Sequence, residues 1–253
     1  MDNNHGNEIF EKVARLLRQQ KEIYGDFEVN YEVQIDNDTK LQNEVSEPEI
    51  KYSPAPELTL EEELALCKTL DQLKTLSERA KVLKTDLDNT NLVFGVGNPD
   101  ADLMLIGEAP GENEDQQGEP FVGKAGQLLD KILEAINFKR TDIYIANILK
   151  HRPPNNRNPK PEERDRSLPF LLKQIELVDP KIILCVGKVS GTTLLNKDCT
   201  LKDMRQKIHD FHGRELMVTY HPAALLRNQQ WKRPTWEDVQ MLRARYDQIS
   251  GNL

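Results

Sequence analysis

Four short segments carry residue types that could do chemistry. The first, Gly107-Glu108-Ala109-Pro110-Gly111-Glu112-Asn113-Glu114-Asp115, has two glycines and a proline within five residues and four carboxylates within nine. Such a turn exposes backbone amides to a ligand. Its spacing fits neither GxxxxGK[ST] nor GxGxxG, and its negative charge would repel a phosphate. A plain solvated acidic loop is the competing reading. The second segment, Gly118 to Gly126, holds Phe121 between Pro120 and Gly123. That ring is either a local core plug or a platform on which a planar ligand stacks. In the third, Asn147 is followed by Lys150, His151, Arg152, Pro153, Pro154, Arg157 and Lys160. An Asn at such a place is a turn former, or an amide presenting a donor and an acceptor to the edge of a pyrimidine. The cations of this Pro-stiffened loop form a solvated face or suit phosphates. The fourth segment is Tyr220-His221-Pro222-Ala223-Ala224-Leu225-Leu226-Arg227. Its imidazole is a structural histidine or a site group beside an apolar wedge.

The elements that must position these residues are legible around them. Apolar runs at Leu103 to Ile106, Ile143 to Ile148, Ile182 to Val186 and Leu216 to Val218 predict four strands. Helical patterns lie between them at Ala125 to Ile136, Pro161 to Leu177 and Val189 to Leu195. This alternation predicts an α/β, three-layer sandwich with a central, mainly parallel four-stranded sheet flanked by helices. Each segment above follows or approaches a strand end, and ligands of such sheets bind just beyond the carboxyl ends of the strands.

The 253-residue chain carries a net charge of −8, which argues against a nucleic-acid partner if the charge is spread evenly. It is not. Residues 1–90 contain 20 acidic and 11 basic side chains, the remaining 163 contain 22 and 23. The acid belongs to the leader. Within it, Ile9, Phe10, Val13, Leu16 and Leu17 would share a face of a helix over 8–19, and the polar stretch from about Val29 to Pro56 is expected to be a linker. A further helix is expected with Thr59 as N-cap, Glu61 to Glu63 in its first turn and a stripe of Leu66, Leu70, Leu73 and Leu76. No run reaches the ~18 apolar residues of a membrane span, and the N-terminus lacks the basic and apolar regions of a secretory signal. Cys67, Cys185 and Cys199 make no CxxC or disulfide framework, so a reduced, cytoplasmic setting is expected. Cys185, inside a strand, is expected to be a small buried hydrophobe.

Together, GEAPGENED, GEPFVGKAG, the Asn before LKHRPPNNR, and YHPAALLR closely resemble the uracil-DNA glycosylase superfamily, specifically its family 4 type. The resemblance begins weakly near Leu58, is strong from Val93 and extends to about Trp236. It implies an extension over 1–56 and a uracil-DNA glycosylase-like domain over 57–253. It also implies hydrolysis of the bond between uracil and deoxyribose in DNA, the first step of base-excision repair, by a monomer with DNA as its partner. Gly107, Ala109 and Gly111 would wrap the flipped base with backbone amides, Phe121 would stack on it and Asn147 would read its edge. His221 would donate toward O2. Glu108 or Glu114 would orient water and stabilise the cationic sugar. Lys150, Arg152 and Arg157 would meet the DNA backbone, and Leu225, Leu226 and Arg227 would enter the minor groove. No Arg-rich insertion of the kind found in relatives that bond covalently to the abasic sugar is present, so turnover is expected. The sequence departs from the family where a four-cysteine iron–sulfur cluster is usual: the four positions hold Cys67, Leu70, His151 and Ser167. Cys-ligated clusters need four ligands. The cluster is therefore expected to be lost and its structural job taken over by packing around the Leu66 to Leu76 helix, leaving no cofactor and no metal. Two further readings stand beside this one: a non-catalytic DNA-binding or partner-binding relative, and a glycosylase for another deaminated base.

Overall fold

The computed structural model describes residues 58–251; the helix expected over 8–19 and the linker before Pro56 lie outside the described residues. Two short helices come first, α1 (Leu60–Leu66) and α2 (Leu70–Arg79). They replace the single helix expected from the leucine stripe. Thr69 restarts the chain by accepting from Gln72 N, while Gln72 Oε1 accepts from Lys68 N at 2.7 Å, so local side-chain bonds outcompete a continuous helix. The break turns Leu66 to solvent and buries Leu64 instead.

Six strands follow, two more than expected. β1 (Val96–Gly97) and β2 (Leu103–Gly107) precede α3 (Glu112–Gln117) and α4 (Lys124–Ala135). β3 (Tyr144–Asn147) leads through the Pro-rich loop to α5 (Pro161–Val178). Then come β4 (Ile182–Val186), α6 (Lys188–Leu195), α7 (Leu201–Met204), β5 (His209–Phe211), β6 (Arg214–Thr219), α8 (Pro222–Arg227) and α9 (Lys232–Ser250). The sheet order is β1-β3-β2-β4-β6-β5. The inner four strands are parallel and are the four expected, while β1 and β5 pair antiparallel at the two edges. An edge strand of two or three residues is too short to show a hydrophobic period.

Every residue of β2 and β4 is buried, as strands covered on both faces must be. Alternate residues serve opposite layers. Met104, Ile106, Ile183 and Cys185 pack under Leu171 and Ile175 of α5. Leu103, Leu105, Ile182 and Leu184 pack under Leu129 and Leu133 of α4 and Val239 and Leu242 of α9. Full burial of each such side chain is worth about 1.5–3 kcal/mol. A smaller cluster of Leu64, Cys67, Leu73 and Leu76 seats α1 and α2 on Phe170 of α5. Among the described residues, no helix is long and apolar enough to cross a membrane.

The chain leaves β2 for β3 on one side of it and returns to β4 on the other, which opens a crevice beyond the carboxyl end of β2. Register places Gly107 beside Asn147 there, and Val186 beside Thr219 one strand farther on.

Candidate active site

A cavity of about 360 Å³ opens at this crevice, at the small end of the range for ligand pockets. Glu108, Ala109, Gly111, Glu114, Phe121, Asn147, Arg157, His221 and Arg227 all line it, so residues from all four sequence segments converge. Gly107 lies just beneath. A Cβ at this position would come within 2.3 Å of Asn147 Oδ1 and 2.6 Å of Phe121 Cζ. The missing side chain is what lets the amide and the ring face one another.

Asn147 is buried at the end of β3, and its Oδ1 has no hydrogen-bond partner among the described residues. Leaving such an acceptor unpaired costs roughly 1–3 kcal/mol, so the site holds a standing demand for a donor from a ligand. Phe121 stands at a backbone φ of 55°, a left-handed conformation costly for an aromatic residue. Arg140 holds it there by donating to the carbonyls of Phe121 and Pro120, and Gly126 makes room, since a Cβ at that glycine would fall 1.7 Å from Phe121 O.

The ring of Phe121 stacks on that of His221, with centroids 5.5 Å apart at 30°. His221 caps α8: its Nδ1 accepts from Ala223 N at 3.1 Å, which places the imidazole proton on Nε2. Burial pushes its pKa down to about 4, Arg227 adds to the shift and Glu114 opposes it. The ring is therefore neutral at physiological pH. Behind it, Asp238 accepts from Arg205 Nε and from Thr219 Oγ1, each at 2.6 Å, and Arg205 lies over the Tyr220 ring. The two residues preceding His221 are thereby tied to α7 and α9.

The two candidate carboxylates differ. Glu114 accepts from Gly111 N, Val122 N and Gly123 N at 3.1, 3.0 and 2.9 Å, so it ties the GEAPG turn to the turn carrying Phe121. Glu108 makes no side-chain hydrogen bond to a described residue; burial raises its pKa and the Arg164 charge partly offsets this.

Several expected contacts fall elsewhere. Lys150 is fully buried, its Nζ donating to Phe94 O, Asn147 O and Gln174 Oε1, so it cannot meet a DNA phosphate. Leu225 is buried beneath α8 and cannot act as a wedge, whereas Leu226 is 47% exposed. Helical periodicity from Pro222 separates these neighbours. Arg152 lies outside the cavity lining, bonded to Asn156 at 2.8 Å and 3.7 Å from Glu112. Asn156 and Asn158, not singled out from the sequence, also line the cavity. The signal for Asn156 was the Pro-Pro-Asn-Asn run, in which Asn155 and Asn156 take φ of 54° and 51°, which Asn tolerates well; Asn158 lies beyond that run.

At the four positions where the resemblance would put cluster cysteines, the residues engage other parts of the fold and not one another. Cys67 Sγ donates to Glu63 O, Ser167 Oγ donates to Ile148 O at 2.7 Å, and His151 Nδ1 lies 3.0 Å from Thr90 Oγ1. Leu70 packs against two core clusters. One thiol, one imidazole, one hydroxyl and one alkyl chain do not fit a four-thiolate cluster, and among the described residues no group of three or more His, Cys, Asp or Glu is placed to hold a metal ion.

The uracil DNA glycosylase superfamily profile matches residues 94–240. A type-4 uracil-DNA glycosylase of Archaeoglobus fulgidus is 42% identical over 153 residues, covering 56% of this chain and 77% of that protein. One of Thermotoga maritima is 39% identical over 175 residues, covering 66% and 91%. A third, of Sulfurisphaera tokodaii, is 38% identical over 186 residues, covering 69% and 84%.

Proposed function

Because this chain belongs to the uracil-DNA glycosylase superfamily, we propose a specific division of labour for the hydrolysis of the uracil–deoxyribose bond in DNA. The protein is a DNA glycosylase, a hydrolase of base-excision repair, and DNA is its partner. The observation that carries the assignment of roles is the unpaired Oδ1 of buried Asn147 facing Phe121 across Gly107. The N3–H of uracil is the donor this oxygen lacks. Cytosine carries an acceptor at N3 and would set two acceptors against each other, at a cost of about 1–3 kcal/mol.

Extruding the nucleotide from the stack costs a few kcal/mol, least for a mismatched or single-stranded base. Once in the cavity, the base lies against the Phe121 ring with the amides of the Gly107 to Gly111 turn at its rim. Breaking the glycosidic bond leaves positive charge on the sugar and negative charge on the base. Neutral His221 donates from Nε2 toward O2 of the leaving uracil, and a fixed donor of this kind is worth roughly 3 kcal/mol. Glu108, whose carboxylate accepts no hydrogen bond from a described residue, faces the sugar cation and orients the attacking water, as carboxylates do at other oxocarbenium centres. Glu114 holds the two turns in place. Of the wedge, Leu226 and Arg227 remain as the minor-groove elements.

The same reading takes residues 57–253 as the catalytic domain and 1–56 as an extension, and takes the protein as a cytoplasmic monomer without an iron–sulfur cluster. Anaerobically purified protein is then colourless in the visible range; a brown band with about four irons per chain would overturn the last point. The decisive test is excision from a uracil-containing oligonucleotide. Abasic product should form, and should fall strongly in Asn147→Ala and His221→Ala. No product at enzyme concentrations that bind the DNA sinks the hydrolase reading. Faster excision of hypoxanthine or xanthine would assign another base.

A further inference from the structure

In the loop after β3, Arg157, which the resemblance offers to the DNA backbone, belongs to a cluster of charges whose other members, Lys160 and Asp86, have no role above. Arg157 donates from Nη1 and Nη2 to the two carboxylate oxygens of Glu163, at 2.8 and 2.7 Å. Glu163 is buried and also accepts from Lys160 N at the start of α5, at 2.8 Å, so it is a fixed anchor. Arg157 is thereby held in one pose, and the residue lines the cavity. A second carboxylate closes on the same cations. Oδ2 of Asp86 accepts from Lys160 Nζ at 2.5 Å and from Arg157 Nη2 at 3.0 Å. Its side chain is 56% exposed, and it comes from a distant segment fastened to the loop by Thr85 Oγ1 donating to Arg152 O at 2.6 Å.

One oxygen shared by an ammonium and a guanidinium is how proteins grip a phosphate oxygen. The phosphates of a flipped nucleotide stay at the cavity mouth when its base enters, beside a wall to which Arg157 belongs. We infer that Arg157 and Lys160 form the subsite for a DNA phosphate flanking the flipped nucleotide, and that Asp86 occupies this subsite in the free protein as a built-in competitor. The charges fit such an exchange. Two cations facing Glu163 and Asp86 sum to zero, and a phosphodiester replacing Asp86 leaves the sum unchanged. The exchange weakens the grip on DNA and eases release of the abasic product, whose backbone phosphates are those of the substrate.

The inference rests on the glycosylase reading, and one experiment separates their failures. Binding is measured with an oligonucleotide carrying 2′-fluorodeoxyuridine, whose fluorine disfavours the sugar cation and blocks cleavage. Asp86→Asn should bind roughly threefold to tenfold more tightly than the wild type at low salt, with the gain shrinking as salt rises. Adding Lys160→Ala to Asp86→Asn should abolish that gain, and Asp86→Ser should reproduce its sign. Unchanged or weaker binding by both Asp86 variants overturns the inference and makes Asp86 a mere tie for the loop. That outcome leaves the glycosylase reading standing if the wild type still excises uracil. A wild type that neither binds the analogue nor cuts uracil-containing DNA brings down the reading on which the inference rests.

Discussion

His151 and His221 sit in two regions of one molecule under nearly the same electrostatic condition. Burial pushes each down to about 4, helped by Lys84 and Arg227 respectively and opposed by Asp115 and Glu114. Each engages Nδ1 in a single hydrogen bond, with Thr90 Oγ1 and Ala223 N. The difference lies in where Nε2 faces. That of His221 belongs to a ring in the cavity wall, stacked on Phe121. That of His151 is buried without a partner among the described residues, between the loop after β3 and the segment around Thr90. Neutrality is thus not what makes a histidine functional here. Access of its remaining nitrogen to a ligand is.

The contrast can be broken most directly at the rate. His221→Ala should lower single-turnover excision by about 10²- to 10³-fold, the range for losing one fixed donor to a developing anion, while the lost α8 cap lowers the melting temperature by only a few degrees. His151→Ala should do the reverse, lowering the melting temperature and sparing most of the rate. If His151→Ala costs as much rate as His221→Ala, the distinction fails. A second test concerns Lys150, which links the two regions by holding Asn147 O and Phe94 O. Lys150→Met should destabilise by about 1–3 kcal/mol in urea titration, since Asn147 O and Gln174 Oε1 lose a buried donor, while Phe94 O keeps Gln174 Nε2. Unchanged stability would mean that this network carries no net weight.

The pH dependence of stability is something the two histidines share, since both are held near 4 by burial. An imidazole whose folded pKa lies near 4 is protonated more readily in the unfolded chain, so the contribution of His151 is complete above about pH 6.5 and is lost as pH falls toward 4. At pH 5 the loss is about 2 kcal/mol. His151→Gln should flatten the acid side of the stability curve, and an unchanged curve would refute the buried-neutral assignment. The smallest effect concerns Glu108. Its pKa is raised by burial, so excision should fall on the acid side at a higher pH than an ordinary carboxylate would give. Arg164→Leu removes the opposing charge and should move that limb higher still. A limb that does not move would take Glu108 out of the mechanism.

Much of the architecture could be read from the chain because fully buried parallel strands are written as short unbroken apolar runs, and Ile182 to Val186 is both the expected and the observed strand. The convergence of Phe121, Asn147 and His221 was also legible, since each follows or approaches a strand end. What escaped was set by contacts remote in sequence. Lys150 reads as a surface cation until Phe94 O and Gln174, 56 and 24 positions away, are seen to receive its ammonium. Leu225 and Leu226 are identical in type, and only the phase of a six-residue helix tells which is buried. Glu108 and Glu114 could not be ranked because the amides of Val122 and Gly123 reach Glu114 through a fold the local pattern does not encode.

The three backbone bonds of Glu114 have a consequence in the time domain. Gly111, Val122 and Gly123 lie on two separate turns, yet their N–H groups end on one carboxylate. For any of these amides to exchange its hydrogen with solvent, the carboxylate must let go, and both turns loosen when it does. The three should therefore exchange at a common rate, and Glu114→Gln should speed all three together. The base-holding turn and the stacking ring then behave as one rigid body with one opening frequency, so that a base meets an assembled pocket or none.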